Sequence, residues 1–238
     1  MITEASFIDF KCPYCGEPVS FPQATAGFSQ ECPICGEALI VPKDGSDEGR
    51  KLPIPITTAR LILRRLRTAD WTDLHEFLSQ DELCKYGGGA PMEEKEIIHW
   101  LESDRKVKLT TSDDGFYLGI ELREGGKLIG YVKLDFVDPK RLQGWIYVVV
   151  SPSYQRNGVA TEAISALLDF CFKEIAMHRV TAWHDSRDLL AGALCAKVGL
   201  RREGEFLKDQ QINDEWINSV YYALLGEEYL NAGNNSVA

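Results

Sequence analysis

Four cysteines crowd the start of the chain in two near copies of one pentapeptide, C-P-Y-C-G at Cys12 to Gly16 and C-P-I-C-G at Cys32 to Gly36. Each C-x-x-C turn lets two sulfurs reach one ion, and the glycine after it permits the positive φ that leaves backbone N–H groups facing the thiolates. Four sulfurs in tetrahedral array select zinc, or less often iron. A closed set of this kind leaves no open position for water. Cys12, Cys15, Cys32 and Cys35 are therefore expected to hold one structural zinc and not a catalytic one. Cys84, Cys171 and Cys195 stand apart. A total of seven cysteines, odd and without a basic-then-apolar leader ahead of them, points to a reducing compartment, and the expected location is the cytoplasm.

A second stretch that bears on chemistry runs G-W-I-Y-V-V-V-S-P-S-Y-Q-R-N-G-V-A-T-E-A from Gly144 to Ala163. A strand from Gly144 to Val150 meets Ser151 and Pro152, which cannot continue it. A helix follows, with Ile164, Leu167, Leu168, Cys171 and Ile175 on one stripe. The segment Q-R-N-G-V-A thus falls at a strand-to-helix junction, where unpaired N–H groups and the positive end of the helix dipole face outward. Gly158 lets backbone approach an anion with no side chain in the way, and Arg156 adds charge. A glycine before a helix serves a plain turn as well as an anion site.

The elements that must position these groups follow from composition and period. With 238 residues, 45% hydrophobic and 26% charged, the chain has room for one large folded domain plus a small module, and its composition excludes disorder as the main state. No apolar run suffices to span a bilayer. A formal charge of -10 disfavours a sequence-independent grip on phosphate backbones and suits a cationic or amine-bearing partner. Residues 1–43 form the cysteine module. They carry Lys11 and Lys43 against Glu4, Asp9, Glu17, Glu31 and Glu37, so nucleic acid is a poor partner for it. Residues 44–55 read as a linker rich in glycine, proline and charge, residues 56–230 as the large domain, and residues 231–238 as a flexible tail.

In the large domain, Leu61 to Leu66 reads as a strand, and Thr68 as the N-cap of a helix carrying Trp71, Leu74, Phe77 and Leu78. A second helix is expected from about Glu93 to Lys106. Phe116 to Leu122 and Leu128 to Phe136 read as strands joined at Gly125 and Gly126.

The cysteine module resembles a zinc ribbon, with strands expected around Ile8 to Lys11, Val19 to Phe21, Gly27 to Gln30 and Ala38 to Val41. Q-R-N-G-V-A after S-P-S-Y resembles the Q-x-x-G-x-A pyrophosphate loop of the GNAT superfamily of acetyl-CoA-dependent N-acetyltransferases. The opening T-T-A-R-L-I-L-R-R-L-R-T-A-D-W, the strand G-K-L-I-G-Y-V, the segment A-K-V-G-L-R-R-E-G-E-F and the ending D-E-W-I-N-S-V-Y-Y-A-L-L look like the branch that acetylates ribosomal-protein amino termini.

This resemblance, spanning roughly Ile56 to Tyr229, implies an α/β (α+β) fold with a mixed, mostly antiparallel sheet. The sheet would splay between the strand at Gly144 to Val150 and the next at Arg179 to His184. Backbone N–H groups of Gln155, Arg156, Asn157, Gly158, Val159, Ala160 and Thr161 would hold the pyrophosphate of acetyl-CoA. Main-chain groups of Val148, Val149 and Val150 would pair with the pantetheine. The amine would attack directly in a ternary complex.

Several positions depart from the family pattern. Trp145 stands where a carboxylate is usual, so another base is needed. The pattern D-x-R-N-x-x-S appears as D-S-R-D-L-L-A, which puts Asp188 at the pantetheine-contacting asparagine, where it also suits an N-cap for a helix over Leu189 to Val198. Cys195 stands where relatives carry a thiolate-protonating tyrosine, yet a buried cysteine is commonly a small apolar residue.

His184 suits a base for an ammonium, since an imidazole exchanges its proton near neutral pH, and Asp185, acting through water, is the second candidate. Both also fit structural roles. Two other readings compete with the enzyme: an acyl-CoA-binding adaptor or sensor that has lost the chemistry, or a ribbon recruiting a nucleic-acid or ribosomal partner. The acceptor amine, a protein amino terminus or a small molecule, and the oligomeric state are not readable from the chain.

Overall fold

The computed structural model describes residues 6–43, 46–87, 90–107, 115–137 and 142–235. Two small antiparallel sheets come first: β1 (Phe7–Lys11) with β2 (Pro18–Pro22), and β3 (Ser29–Glu31) with β4 (Ala38–Ile40) and β5 (Arg50–Lys51). Alternation at Val19 and Phe21, with Phe10 opposite, turns one face of the first pair inward against Leu39 and Val41. Within the stretch read as a linker, residues 46–55 are built into the fold. Lys11 N–H donates to Asp47 O at 2.8 Å, Gly49 N–H donates to Lys11 O at 3.0 Å, and β5 extends the second sheet. A two-residue strand is too short to leave a period in the sequence.

The rest of the chain forms an eight-stranded sheet from β6 (Ile56–Thr57), β7 (Leu61–Arg65), β8 (Phe116–Leu122), β9 (Leu128–Phe136), β10 (Gln143–Val150), β11 (Arg179–Asp185), β12 (Arg201–Ile212) and β13 (Glu215–Leu225), in the order β12-β13-β11-β10-β9-β8-β7-β6. Every neighbouring pair is antiparallel except β10 with β11. The mixed, mostly antiparallel architecture is the one the resemblance implied.

Helices cover both faces. On one, α4 (Val159–Asp169), a π turn at Phe170–Glu174 and α5 (Leu189–Lys197) bury Ile146, Val150 and Ala182 with Ile164, Leu167 and Leu168. On the other, α1 (Trp71–Leu78) and α3 (Glu94–Asp104) enclose Leu74, Phe77, Ile97 and Leu101 with Val149. Successive residues of β10 thus serve opposite cores, as the two-residue period of a strand requires. α2 (Asp81–Gly87) lies between α1 and α3 in sequence.

Two expectations fail at element ends. Thr68 does not cap α1. A 3-10 turn, Thr68–Asp70, intervenes, and Asp70 accepts from Arg67 N–H at 2.7 Å while Arg64 grips it with two 2.8 Å bonds. A buried carboxylate already paired with an arginine outcompetes a threonine hydroxyl. The tail is helical through Asn235 in α6 (Gly226–Asn235), and residues 236–238 lie outside the described part. Tyr229 Oη donates to Asp169 Oδ1 at 3.1 Å, a tertiary anchor with no local signature.

The sheet opens at its parallel pair. β10 and β11 are bonded only from Gln143↔Arg179 to Trp145↔Thr181, whereas β9 follows β10 to Val150 and β13 follows β11 to Asp185. From Ile146 and Ala182 onward the two inner edges diverge and leave main-chain groups without strand partners.

Candidate active site

The loop after β10 closes one end of this gap. Gln155 is committed to the protein itself: its Nε2 donates to Val150 O at 2.9 Å and its N–H to Pro152 O at 3.2 Å. This corrects the expectation that its N–H faces a ligand. It is instead the strut that ties the loop to the strand. The next backbone donor bonded within the protein is Glu162, to Gly158 O at 3.0 Å, so Arg156, Asn157, Gly158, Val159, Ala160 and Thr161 make no backbone N–H bond among the described residues. Arg156 has φ 59° and Gly158 φ 77°, and this alternation around Asn157 turns successive N–H groups into one concavity at the start of α4. A Cβ on Gly158 would meet only Arg60 Nη2, at 3.4 Å. A cradle of unbonded N–H groups opening into a strand gap fits a diphosphate with an extended arm, as coenzyme A has. Of the three valines expected to meet such an arm, Val148 and Val150 turn main-chain groups toward the gap, with Val150 O already accepting from Gln155 Nε2, whereas Val149, opposite Tyr131 and two residues before the Ser151 N–H bond to Ile129 O, turns its own toward β9, which corrects the expectation for Val149.

Arg60 and Glu162 also belong to this loop, and sequence reasoning missed both. Arg60 Nη1 donates to Asn157 O at 2.9 Å and its Nε to Glu162 Oε2 at 2.7 Å. About a hundred residues separate the partners, so no local pattern announces the pair.

The predicted proton-handling residues lie on β11 and α5, but in different environments. His184 borders the gap with its ring stacked on Tyr222 at 5.5 Å. Its Nδ1 sits 2.7 Å from Asp185 O, so a proton there is donated to that carbonyl and the lone pair falls on Nε2, which is buried without a partner among the described residues. Gly192 of α5 leaves room beside it, since a Cβ there would approach Nε2 to 3.1 Å and Tyr222 Oη to 3.5 Å.

Asp185 is different. Its fully buried carboxylate accepts from Arg187 Nε, Nη2 and backbone N–H at 2.6 to 3.1 Å. Burial pushes the carboxyl up, but the Arg187 bonds outweigh that and hold it below the usual carboxylate range. Asp185 is thus an ion-pair partner and is corrected as a base. Cys195 is packed into the core under α5, where burial first and Asp188 second push its thiol up to about 11. Asp188 caps α5, accepting from Leu190 and Ala191 N–H at 3.1 and 3.0 Å.

On the opposite face of the sheet Trp145 stacks between Tyr147 at 5.7 Å and Trp183 at 6.4 Å, and Trp183 continues to Tyr221 at 6.3 Å. The place where relatives keep a carboxylate is therefore one ring of an aromatic row. His75, His99 and His178 lie in α1, α3 and the turn before β11, away from the gap.

In the first two sheets, the Sγ atoms of Cys12, Cys15, Cys32 and Cys35 all lie within 4.8 Å of one another, with Cys12–Cys35 at 3.7 Å and Cys15–Cys32 at 3.9 Å. A tetrahedron with zinc–sulfur bonds of about 2.3 Å has sulfurs about 3.8 Å apart, so the donor set fits that ion. The two turns are matched: Gly16 N–H reaches Cys12 O and Gly36 N–H reaches Cys32 O, both at 2.9 Å, with φ 77° and 75° at the glycines. Among the described residues no helix is long and apolar enough to cross a membrane.

Comparison with known proteins agrees with this geometry. The acetyltransferase (GNAT) domain family is matched over residues 60–201. The chain is 30% identical over 176 residues to the uncharacterized N-acetyltransferase YnaD of Bacillus subtilis, covering 73% of this chain and 98% of that protein. An acetyltransferase of the GNAT family from Bacillus anthracis superposes with a TM-score of 0.65 at 28% identity, over 73% of this chain and 99% of that one. Spermidine N-acetyltransferase from Vibrio cholerae, solved with CoA and spermine, shares the fold with a TM-score of 0.63 at 20% identity, over 73% and 100% of the two chains.

A splayed sheet with a loop of free N–H groups at the mouth of the splay defines an acyl-CoA-dependent acyltransferase. The chain belongs to the GNAT family of acetyl-CoA-dependent N-acetyltransferases.

Proposed function

We propose that the protein transfers acetyl from acetyl-CoA to a primary amine, a protein amino terminus of the ribosomal kind or a small-molecule amine, by direct attack in a ternary complex. The observation that carries the reading is the gap between β10 and β11 with the N–H groups of Arg156 to Thr161 unbonded at its mouth. Those groups receive the pyrophosphate. The gap-facing main-chain groups of Val148 and Val150 pair with the pantetheine amides, and the Val150 N–H polarises the thioester carbonyl. The amine nitrogen then bonds the carbonyl carbon, the carbon–sulfur bond breaks, and the coenzyme leaves as a thiol once it has gained a proton.

An ammonium must first lose a proton. His184 Nε2 receives it, through water, because its lone pair is unused and Asp185 is not available. Cys195 and Asp188 contribute packing and a helix cap to the wall of the gap, and Cys195 is not a positioned acid. A covalent acetyl-cysteine route is disfavoured by the buried, high-pKa thiol of Cys195.

We infer further that Cys12, Cys15, Cys32 and Cys35 hold one zinc that fixes the two matched turns, in a ribbon over residues 1–43. Four reduced thiols of this kind suit the cytoplasm. The test is acetyl transfer from acetyl-CoA to a panel containing a ribosomal-protein amino-terminal peptide, spermidine and an aminoglycoside. Intersecting double-reciprocal plots and no acetylated protein intermediate are expected. Parallel plots with acetyl retained on Cys195 would refute direct attack.

A further inference from the structure

The geometry points to Arg60 as a positioning residue of the pyrophosphate loop, one that sets the Asn157–Gly158 peptide plane and masks the Glu162 carboxylate from the diphosphate. The inference rests on the loop reading given above and goes beyond it by assigning a role to a residue outside the loop.

A carboxylate in the first turn of α4 stabilises the helix but repels a diphosphate bound at the same end. Here Glu162 is enclosed by donors: Thr58 Oγ1 at 2.6 Å and Arg60 N–H at 2.9 Å to Oε1, and Arg60 Nε at 2.7 Å to Oε2. Its charge is paired on the side of the chain that carries β6 and β7, so the helix keeps its N-terminal acid while the cradle keeps its positive potential.

The second contact acts on the backbone. In a trans peptide the carbonyl and the following N–H point in opposite directions. Asn157 O is held by Arg60 Nη1 at 2.9 Å, so the N–H of Gly158 is turned away from Arg60 and toward the opposite side of the loop. Gly158 at φ 77° and Arg156 at φ 59° are both in the left-handed region, a loop shape that does not hold itself together without outside contacts. Arg60 is itself fixed, because Arg123 Nη1 donates to Thr58 O and Ala59 O at 3.0 Å each and Arg123 N–H donates to Arg60 O at 3.0 Å. One guanidinium thus couples a rigid turn at the sheet edge to the start of α4.

Calorimetric titration with coenzyme A of the full chain, its Arg60→Gln, Glu162→Gln and Arg60→Gln/Glu162→Gln forms tests this. Arg60→Gln should weaken binding about tenfold or more, the scale of lost hydrogen bonds to charged groups. Glu162→Gln in the Arg60→Gln background should restore binding severalfold, because the unmasked charge is gone, and raised salt should shrink the Arg60→Gln defect. Equal losses in the single and double Arg60 variants, or wild-type affinity in Arg60→Gln, would overturn the inference. If Arg60→Gln does not fold, Arg60→Lys, which keeps the charge but cannot span Asn157 and Glu162, takes its place in the same cycle. Gly158→Glu reports on the loop separately: retained coenzyme A binding there would sink the loop reading, whereas its loss alongside a normal Arg60→Gln would sink only the role of Arg60.

Discussion

Substituting Gly158 separates three effects whose sizes the structure sets. A side chain at φ 77° costs about 1–2 kcal/mol of left-handed strain, and that cost falls on the protein whether or not a ligand is present. It should therefore appear as a melting point lowered by a few degrees and not chiefly as lost affinity. Steric obstruction by protein is minor, because the added Cβ meets only Arg60 Nη2 at 3.4 Å.

The third effect is charge. A carboxylate about 5 Å from a doubly charged diphosphate, at an effective dielectric of about 40, is opposed by about 3 kcal/mol, less whatever Arg60 neutralises. Gly158→Ala should thus bind coenzyme A within about tenfold of wild type, and Gly158→Glu about a hundredfold more weakly. Isothermal titration at fixed ionic strength, paired with thermal melts without ligand, measures both. Wild-type affinity in Gly158→Glu would remove the diphosphate from this loop. Equal losses in the two variants would show that strain, and not charge, governs binding.

His184→Ala should lower turnover by about 10²- to 10⁴-fold at unchanged coenzyme A affinity, measured as kcat against a calorimetric Kd. Asp185→Asn should instead keep most turnover and lose about 1–3 kcal/mol of stability in urea melts, since it opens a buried carboxylate's bonds to Arg187. Because that carboxyl titrates below its unfolded value, its stabilisation is present above about pH 4 and is lost as pH falls through the depressed folded value, so wild type and Asp185→Asn should converge in acid. Cys195, with its thiol pushed up to about 11, should resist alkylation at pH 8 in the folded state, and Cys195→Ser should retain most activity. Metal analysis should find one zinc per chain, and chelation should lower the melting of the large sheet as well as the ribbon, because Ile40 and Leu52 are buried in the same core as β7 and α4.

The parts of the fold that could be read in advance are those whose information is local. Strands β8, β9 and β10 are apolar runs of seven to nine residues, buried from both faces along much of their length and bounded by turn residues, so length and punctuation agree. The two C-x-x-C turns carry their geometry in five residues each. Asp188 was legible as a cap because a short acceptor preceding an apolar helix has one common use, and it accepts two N–H bonds there. The failures are tertiary. β5 spans two residues, α6 is anchored through Tyr229 to a residue sixty positions away, and Thr68 loses the cap to an Asp70 already held by Arg64.

The candidate site divides along the same line, and the division says what to expect of the chemistry. Loop and gap follow from backbone conformation, which glycine and a strand-to-helix junction announce. Proton handling depends instead on which polar atoms remain unpaired after packing, a property of long-range neighbours. His184 and Asp185 are adjacent on one strand and look equivalent in sequence. Packing gives Asp185 every donor of Arg187 that reaches it and leaves His184 Nε2 with none, facing the space that Gly192 keeps open beside Tyr222. An unpaired buried imidazole nitrogen costs free energy that a purely structural histidine would recover with a partner. Left unsatisfied among the described residues at the edge of the gap, His184 Nε2 therefore has a reason to meet a water or an amine there, while Trp145, whose Nε1 is likewise buried without a partner but can only donate, stacks between Tyr147 and Trp183 on the opposite face.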